Sequence, residues 1–202
     1  SRRISNKATK YLGCRQGDRS LLYFISEYPK SGGTWFGKMA ADCLGVPYPA
    51  PGLFPVTFTS VVHNHWKYDP RLRRVFYLYR DGRDVMTSYF FHRMRRLQLG
   101  EPNTVRLFAK RYQRLFGANY DPNDTARLLP RFLEDEFRRP RGARLNWRNH
   151  IDSWYDPERR PHIAYLSYEE LLSDCAATLR RCVEHVTGAP LDVWTLDTAV
   201  EK

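Results

Sequence analysis

The sequence predicts an α/β fold in which helices cover both faces of a central parallel sheet. Short apolar strand candidates alternate with helix candidates along the chain, a pattern typical of such sheets. Two of the strands each lead through a glycine-bearing polar turn into a helix, which is where parallel sheets place their ligand sites. With 202 residues and 42% apolar content, the chain suits one core, and we expect a single domain over residues 1–202.

The strand candidates are apolar runs that end in polar residues. They cover residues 21–27, 61–65, 75–79 and 162–166. The run 75–79 (VFYLY) is almost wholly apolar and aromatic, as central parallel strands are.

The helix candidates begin at capping residues and end at helix-breaking ones. We expect one helix to be capped by Thr34 and to end at Gly45, and another to have Asp174 as its cap and Gly188 as its stop. Further helices are expected over residues 81–96, 101–120, 128–138 and 146–154.

The net charge of +11 indicates an anionic partner, because 26 of the 33 basic residues are arginine. Arginine offers a planar fork of donors that captures phosphate or sulfate with two hydrogen bonds. Charge alone leaves nucleic acid, a membrane surface and a nucleotide open as partners. We expect two arginine clusters to be solvated surface: Arg93, Arg95, Arg96 and Arg138, Arg139, Arg141.

Neither a disulfide framework nor a metal site is predicted. The cysteines, Cys14, Cys43, Cys175 and Cys182, have no CxxC spacing, so reduced thiols are expected. No apolar run approaches the roughly 20 residues that cross a bilayer. The chain also begins without an apolar signal segment, and we expect a soluble, cytoplasmic protein.

The segment YPKSGGTW has the physical properties of a phosphate loop. Gly32 and Gly33 allow close backbone approach, Ser31 and Thr34 offer hydroxyls, and the N–H groups at the following helix start attract an anion. In the common nucleotide-triphosphate loop the lysine follows the last glycine, whereas Lys30 precedes both glycines here. The alternative is an ordinary strand-to-helix turn.

A second strand–turn–helix segment, VFYLYRDGRDVMTSYFFH, places Arg80 at a strand end and Ser88 eight residues later. That spacing is about two helical turns, and one phosphate could accept hydrogen bonds from both side chains. Alternatively, Arg80 pairs with Asp81 or Asp84 and Ser88 is a surface hydroxyl.

Together these segments resemble the sulfotransferases that use 3′-phosphoadenosine 5′-phosphosulfate (PAPS). YPKSGGTW is similar to that family's 5′-phosphosulfate loop, YPKSGTTW, with Gly33 in place of a threonine. YRDGRDVMTSYFFH resembles its 3′-phosphate motif, and NWRNHIDSW and AYLSYEELLSD resemble later family segments. The resemblance covers about residues 23–188 and implies a P-loop-like, three-layer fold with a central parallel sheet flanked by helices.

The resemblance also implies a role for each matching residue. Those around the 5′ end of the donor would be Lys30, Ser31, Gly32, Gly33, Thr34 and Trp35. Arg80 and Ser88 would take the 3′-phosphate, and Trp35 and Tyr168 would flank the adenine, since aromatic faces stack on bases. Core packing is the alternative for both rings.

The acceptor base is predicted from VVHNHWKY, in which His63 and His65 share one face if the segment is a strand. The family has a K-T-H arrangement whose histidine is the base, which favours His65 as the base and puts His63 in the place of the lysine. His63 as the base remains open. A two-histidine metal site lacks an obvious third ligand in the sequence.

The resemblance implies sulfuryl transfer to a hydroxyl or amine of a small molecule or glycan, with adenosine 3′,5′-bisphosphate (PAP) as product. No metal and no nucleic-acid partner are expected. The chain stops at WTLDTAVEK without the family's glycine- and basic-rich cofactor-closing segment, so the completion of the 3′-phosphate site stays open. The alternatives are a P-loop nucleotide or small-molecule kinase and a non-enzymatic polyanion binder.

Overall fold

The computed structural model describes residues 2–50, 52–141 and 144–201, and its centre is a parallel sheet of four strands. The strands are β1 (Leu22–Glu27), β2 (Ser60–Asn64), β3 (Val75–Tyr79) and β4 (Ile163–Ser167). Their order in the sheet is β2-β1-β3-β4, so β1 pairs with both β2 and β3. The predicted α/β class and parallel sheet are confirmed, with β3 at its predicted bounds and the other strands within one residue of theirs.

Helices surround the sheet and supply the connections from β1 to β2 and from β3 to β4. They are α1 (Arg2–Gln16), α2 (Gly33–Leu44), α3 (Gly82–Gln98), α4 (Pro102–Phe116), α5 (Thr125–Arg138), α6 (Trp147–Trp154), α7 (Tyr168–Ser173), α8 (Cys175–Thr187) and α9 (Val193–Val200). Of these, α1, α7 and α9 were not predicted. The short α7 follows β4 directly and begins with a capping box between Ser167 and Glu170, a local signal that the analysis of periodicity missed.

The predicted cap of α2 is wrong, whereas the predicted cap and stop of α8 are confirmed. Helix α2 begins after Gly32, whose φ of 109° turns the chain into the helix, while Thr34 lies exposed in its first turn. Only glycine adopts that φ without strain, so backbone conformation rather than a side-chain cap starts α2. Asp174 caps α8 by accepting from the Ala177 N–H, and Gly188 ends that helix at a φ of 69°.

Strand alternation divides the apolar residues between the two faces of the sheet. Ile25, Val61 and Phe76 pack with α2, α8 and α9 on one face. Phe24 and Tyr77 pack with Trp154 of α6 on the other. A further apolar cluster holds α3, α4 and α5 together beside the sheet. By the same alternation, Glu27 at the end of β1 and His63 in β2 lie on the α2 side, the face of Ile25 and Val61.

All four cysteines are free thiols. Within the described residues, no helix is long and apolar enough to cross a membrane.

Replacement of Phe36 by alanine should strongly destabilise the fold. The Phe36 side chain is fully buried between α2 and the sheet, with its ring 5.3 Å from that of Phe76. We expect Phe36→Ala to lower the free energy of unfolding by about 3–5 kcal/mol, measured by urea denaturation. The control Leu172→Ala, at a side chain that is 64% exposed, should change it by about 0.5 kcal/mol or less. Equal losses in the two variants would contradict this account of the core.

Candidate active site

A cleft of about 540 Å³ opens where β1, β2 and β3 end, and it gathers nearly all of the predicted site residues. The predicted residues that line it are Lys30, Gly32, Gly33, Thr34, Trp35, His63, His65, Arg80, Ser88 and Tyr168. Ser31 is fully buried beneath the loop. The parallel sheet explains this convergence, because the carboxyl ends of its strands share one edge.

The loop from β1 to α2 is tightly wound. Lys30 and Gly32 both have positive φ angles, 78° and 109°, and the Ser31 N–H donates to the Tyr28 carbonyl at 3.2 Å. A Cβ at position 32 would lie 2.6 Å from the Tyr168 ring. The backbone of this loop therefore approaches Tyr168 as closely as glycine allows.

Arg80 joins the second predicted motif to the first. Its guanidinium donates to the Lys30 carbonyl at 3.4 Å and lies 4.2 Å from the centre of the Tyr168 ring. Asp84 is 3.7 Å away, a loose pair, and the carboxylate of Asp81 instead binds Arg83. The Nε atom of Arg80 is buried without a hydrogen-bond partner among the described residues, so a donor remains available for a ligand.

The surface of α3 that faces the cleft is more basic than predicted. Ser88, His92 and Arg96 follow one another at four-residue spacing and line the cleft together with Arg93. The expectation of a solvated surface is wrong for Arg93 and Arg96. Arg93 is half-buried, with its guanidinium 4.1 Å from the centre of the Phe108 ring. The four-residue spacing from Ser88 is the sequence signal that could have found this face.

The electrostatic effect of this face is visible at His92. Burial, together with the charges of Lys30, Arg96 and Arg93, lowers the pKa of His92 to about 4. Burial is the largest cause of this shift, and the contribution of the three cations indicates that this side of the cleft favours an anion.

Glu27, the last residue of β1, organises the two histidines and was not predicted. It is 3% exposed. Its Oε1 atom lies 2.9 Å from Nε2 of His63, and its Oε2 atom accepts from the Gly33 N–H at 2.5 Å. One N–H of the predicted anion cradle is thus committed to a protein carboxylate. A glutamate ending an apolar strand just before the loop was the available signal.

His65 has the properties of a proton acceptor. Its Nδ1 atom lies 3.0 Å from the Glu27 carbonyl oxygen, which can only accept, so Nδ1 carries the proton and Nε2 is free in the neutral ring. Burial lowers the pKa of His65, with Glu27 acting in the opposite direction and His63 adding to the lowering. The ring is therefore neutral at physiological pH and partly exposed to the cleft.

Glu27 also supplies a third potential metal ligand beside the two histidines, which was not predicted from the sequence. One donor atom each from Glu27, His63 and His65 lie within 4.8 Å of one another. In the structure these atoms are engaged in hydrogen bonds, from His63 to the Glu27 carboxylate and from His65 to the Glu27 carbonyl. The three residues thus form a hydrogen-bonded cluster.

Trp35 and Tyr168 lie together at one side of the cleft. Their ring centres are 6.0 Å apart, and the rings meet edge to face at 68°. Trp35 is 39% exposed, so it is a surface of the cleft rather than part of the core. One aromatic face is thus available to a flat ligand beside Arg80 and Tyr168.

The donor set of the cleft fits an anion with several charged groups. Among the described lining residues, the cations are Lys30, Arg80, Arg93 and Arg96, and Glu27 is the acid. The Ser31 hydroxyl and the Nε atoms of Arg80 and Arg93 are buried without a partner in the described chain. Buried donors of this kind cost free energy unless a ligand accepts from them.

Comparison with known proteins agrees with the chemistry of the cleft. The model of the "Sulfotransferase domain" family matches residues 55–202, a range that includes both histidines, Arg80, Ser88 and Tyr168. The loop from β1 to α2 lies ahead of that range. Bovine sulfotransferase 1A1 is 22% identical over 88% of this chain, which spans 62% of the length of that relative.

Solved structures share the fold over 98% of the chain. Mouse sulfotransferase SULT7A1 in complex with PAP is 15% identical with a TM-score of 0.62, and the match covers 69% of that chain. Retinol dehydratase in complex with androsterone and the inactive cofactor PAP is 16% identical with the same TM-score, 0.62, over 68% of its chain. The chain therefore has the P-loop-like fold of these proteins.

Replacement of Gly32 by alanine should destabilise the protein more than replacement of Gly45. Both glycines have positive φ angles, which cost alanine about 1–2 kcal/mol. Only at position 32 would the new Cβ also meet a neighbour, the Tyr168 ring, whereas nothing lies within 4 Å at position 45. Thermal unfolding should give a lower Tm for Gly32→Ala than for Gly45→Ala. Equal Tm values would contradict the close approach of loop and ring.

Proposed function

The chain belongs to the sulfotransferase domain family, and we propose that it transfers a sulfuryl group from PAPS to a hydroxyl or amine acceptor. The observation that carries this proposal is the single cleft in which the phosphate loop, Arg80 with Ser88, and the two histidines meet. Two similar solved structures are complexes with PAP, the product that such a reaction would leave.

The cleft suits the donor in charge and in shape. PAPS carries about four negative charges near neutral pH, and the cleft offers four cationic side chains. We assign the 5′-phosphosulfate to the loop, with Lys30, Gly32 and Thr34 around it and the Ser31 hydroxyl beneath it. The Gly33 N–H donates to Glu27 and is not free for the donor. Gly33 supports the loop by leaving space for the Glu27 carboxylate, which a Cβ at this position would meet.

The nucleoside part of the donor takes the other side of the cleft. Arg80 and Ser88 would bind the 3′-phosphate, using the unpartnered Nε atom of Arg80 and the hydroxyl two helical turns into α3. Trp35 and Tyr168 would pack against the adenine. Arg93 and Arg96 add positive charge beyond Ser88.

His65 is the proposed base. Its Nε2 atom removes the proton of the acceptor group, and the acceptor oxygen or nitrogen forms a bond to sulfur as the bond from sulfur to the bridging oxygen breaks. The products are the sulfated acceptor, PAP and a proton on His65. Lys30 stabilises the negative charge that develops on the bridging oxygen, and the proposed reaction uses no metal ion.

The acceptor class extends this proposal. A small molecule or a glycan would reach His65 through the open mouth of the cleft, and we propose no nucleic-acid partner and a cytoplasmic location. Androsterone and retinol accompany PAP in the complexes of retinol dehydratase, which supports an acceptor of small-molecule size.

PAP should raise the Tm of the protein well above the effect of AMP, because AMP lacks the group that would reach Arg80 and Ser88. A ligand at 100 times its Kd stabilises by about 2.7 kcal/mol, which is several degrees for a chain of this size. Arg80→Ala should remove the difference between the ligands. The control Arg83→Ala, at a side chain that is 91% exposed, should keep it. Equal shifts by PAP and AMP in the wild-type protein would refute the 3′-phosphate assignment.

The pH dependence of kcat/KM should identify the base. Because burial lowers the pKa of His65, the ring stays neutral down to pH values below the ordinary imidazole value of about 6.5. Activity should therefore fall only on the acid side of that value. Assays use labelled PAPS with phenol, sugar and amine acceptors. His65→Ala should lose this acid limb together with most activity, whereas His63→Lys should remain active; the reverse result would make His63 the base.

A further inference from the structure

Glu27 is more deeply buried than either histidine beside it, and both of its carboxylate oxygen atoms are engaged. Its side chain is 4% exposed, against 20% for His63 and 36% for His65. The carboxylate lies between the first turn of α2 and the end of β2. Strand alternation requires this placement, since Ile25 pairs with His63 and Glu27 follows two residues later on the same face.

Gly33 departs from the YPKSGTTW pattern and His63 departs from the K-T-H pattern. Both residues contact the Glu27 carboxylate. A Cβ at position 33 would lie 2.6 Å from Cδ of Glu27 and 2.7 Å from Nε2 of His63. Distances below 3.0 Å are not sustained between such atoms. A threonine at position 33 is therefore incompatible with the present arrangement of Glu27 and His63.

The hydrogen bonds of Glu27 determine which nitrogen of each imidazole carries a proton. An ionised carboxylate only accepts hydrogen bonds, so Nε2 of His63 is the protonated atom of that ring. The ring is further held by Tyr48, which stacks on it at 22° with centres 6.5 Å apart. His65 meets it edge to face at 5.0 Å. The carboxylate thus determines the orientation of the ring against which His65 packs.

We propose that Glu27 is a positioning residue that holds His63 in one tautomer and one orientation beside His65, and that Gly33 is present because the carboxylate occupies the space of its side chain. The catalytic consequence rests on the proposed sulfuryl transfer: His63 would present the same face to the reacting groups throughout the reaction. The contact itself can be tested without donor or acceptor.

A double-mutant cycle tests the coupling between positions 27 and 33. Gly33→Ala should lower the Tm by several degrees in the wild-type background and by much less in the Glu27→Ala background, where the added methyl group has room. Gly13→Ala is the matched control, because its Cβ would lie 2.4 Å from the Phe24 ring, away from the cleft. Gly13→Ala should lower the Tm by the same amount in both backgrounds. An undiminished cost of Gly33→Ala in the Glu27→Ala protein would overturn the proposal.

The tautomer of His63 gives a signature that a purely structural role for Glu27 would leave unchanged. Two-bond ¹H–¹⁵N spectra of ¹⁵N-histidine protein, assigned with His63→Gln and His65→Gln, should give a proton on Nε2 of His63 and on Nδ1 of His65. Glu27→Ala should convert His63 to a mixture of tautomers and leave His65 with its Nδ1 proton. The control Glu136→Ala removes another fully buried carboxylate and should alter neither ring. A His63 signal that is unchanged in Glu27→Ala would overturn the proposal.

Calorimetric titration with PAP separates failure of this proposal from failure of the proposed function. Glu27→Gln removes a negative charge from an anion-binding cleft, so PAP should bind this variant as tightly as the wild type or more tightly. A Kd raised tenfold or more would make Glu27 a support of the donor loop and overturn the positioning role. Absence of PAP binding in the wild type would instead refute the proposed donor and leave the tautomer test standing. A metal ion bound at Nε2 of His63, found by elemental analysis and by loss of that N–H, would also overturn the proposal.

Discussion

The parallel pairing of β1 with both β2 and β3 is the constraint on which the rest of the structure depends. Because all three strands run in one direction, their carboxyl ends meet at one edge, and each end contributes a different chemistry. The end of β1 provides Glu27 and the loop to α2, β2 carries His63 and leads to His65, and β3 leads to Arg80. An antiparallel arrangement of any of these strands would send its polar end to the opposite edge and dismantle the cleft.

Glu27 is a buried carboxylate among the positively charged side chains at this edge of the sheet. Glu27 accepts from the first N–H of α2 and from His63, so it satisfies hydrogen-bond donors on two neighbouring elements at once. The same carboxylate requires the glycine at position 33. One contact therefore links a feature of the phosphate loop to a feature of the histidine pair, although the two segments are about thirty residues apart in the chain.

The sequence predicts features that depend on local pattern and misses those that depend on tertiary contacts. The predicted bounds of the strand 75–79 match the observed ones because a short apolar run between polar residues is typical of a strand buried in a parallel sheet. Thr34 was assigned as a cap because hydroxyl residues usually are, whereas the left-handed turn at Gly32 starts the helix. The cleft residues Glu27 and Arg93 were missed because their roles come from contacts across strands and helices that periodicity does not report.

Calorimetric titrations of the wild-type protein with PAP and with ATP plus Mg²⁺ test the proposed donor most directly. We predict that PAP binds more tightly by at least tenfold, because the proposed function assigns Arg80 and Ser88 to a 3′-phosphate and because Lys30 precedes the loop glycines. Tighter binding of ATP with Mg²⁺ would contradict it and favour a kinase. Equal, strongly salt-dependent binding of both would also contradict it and indicate a non-specific binder of polyanions.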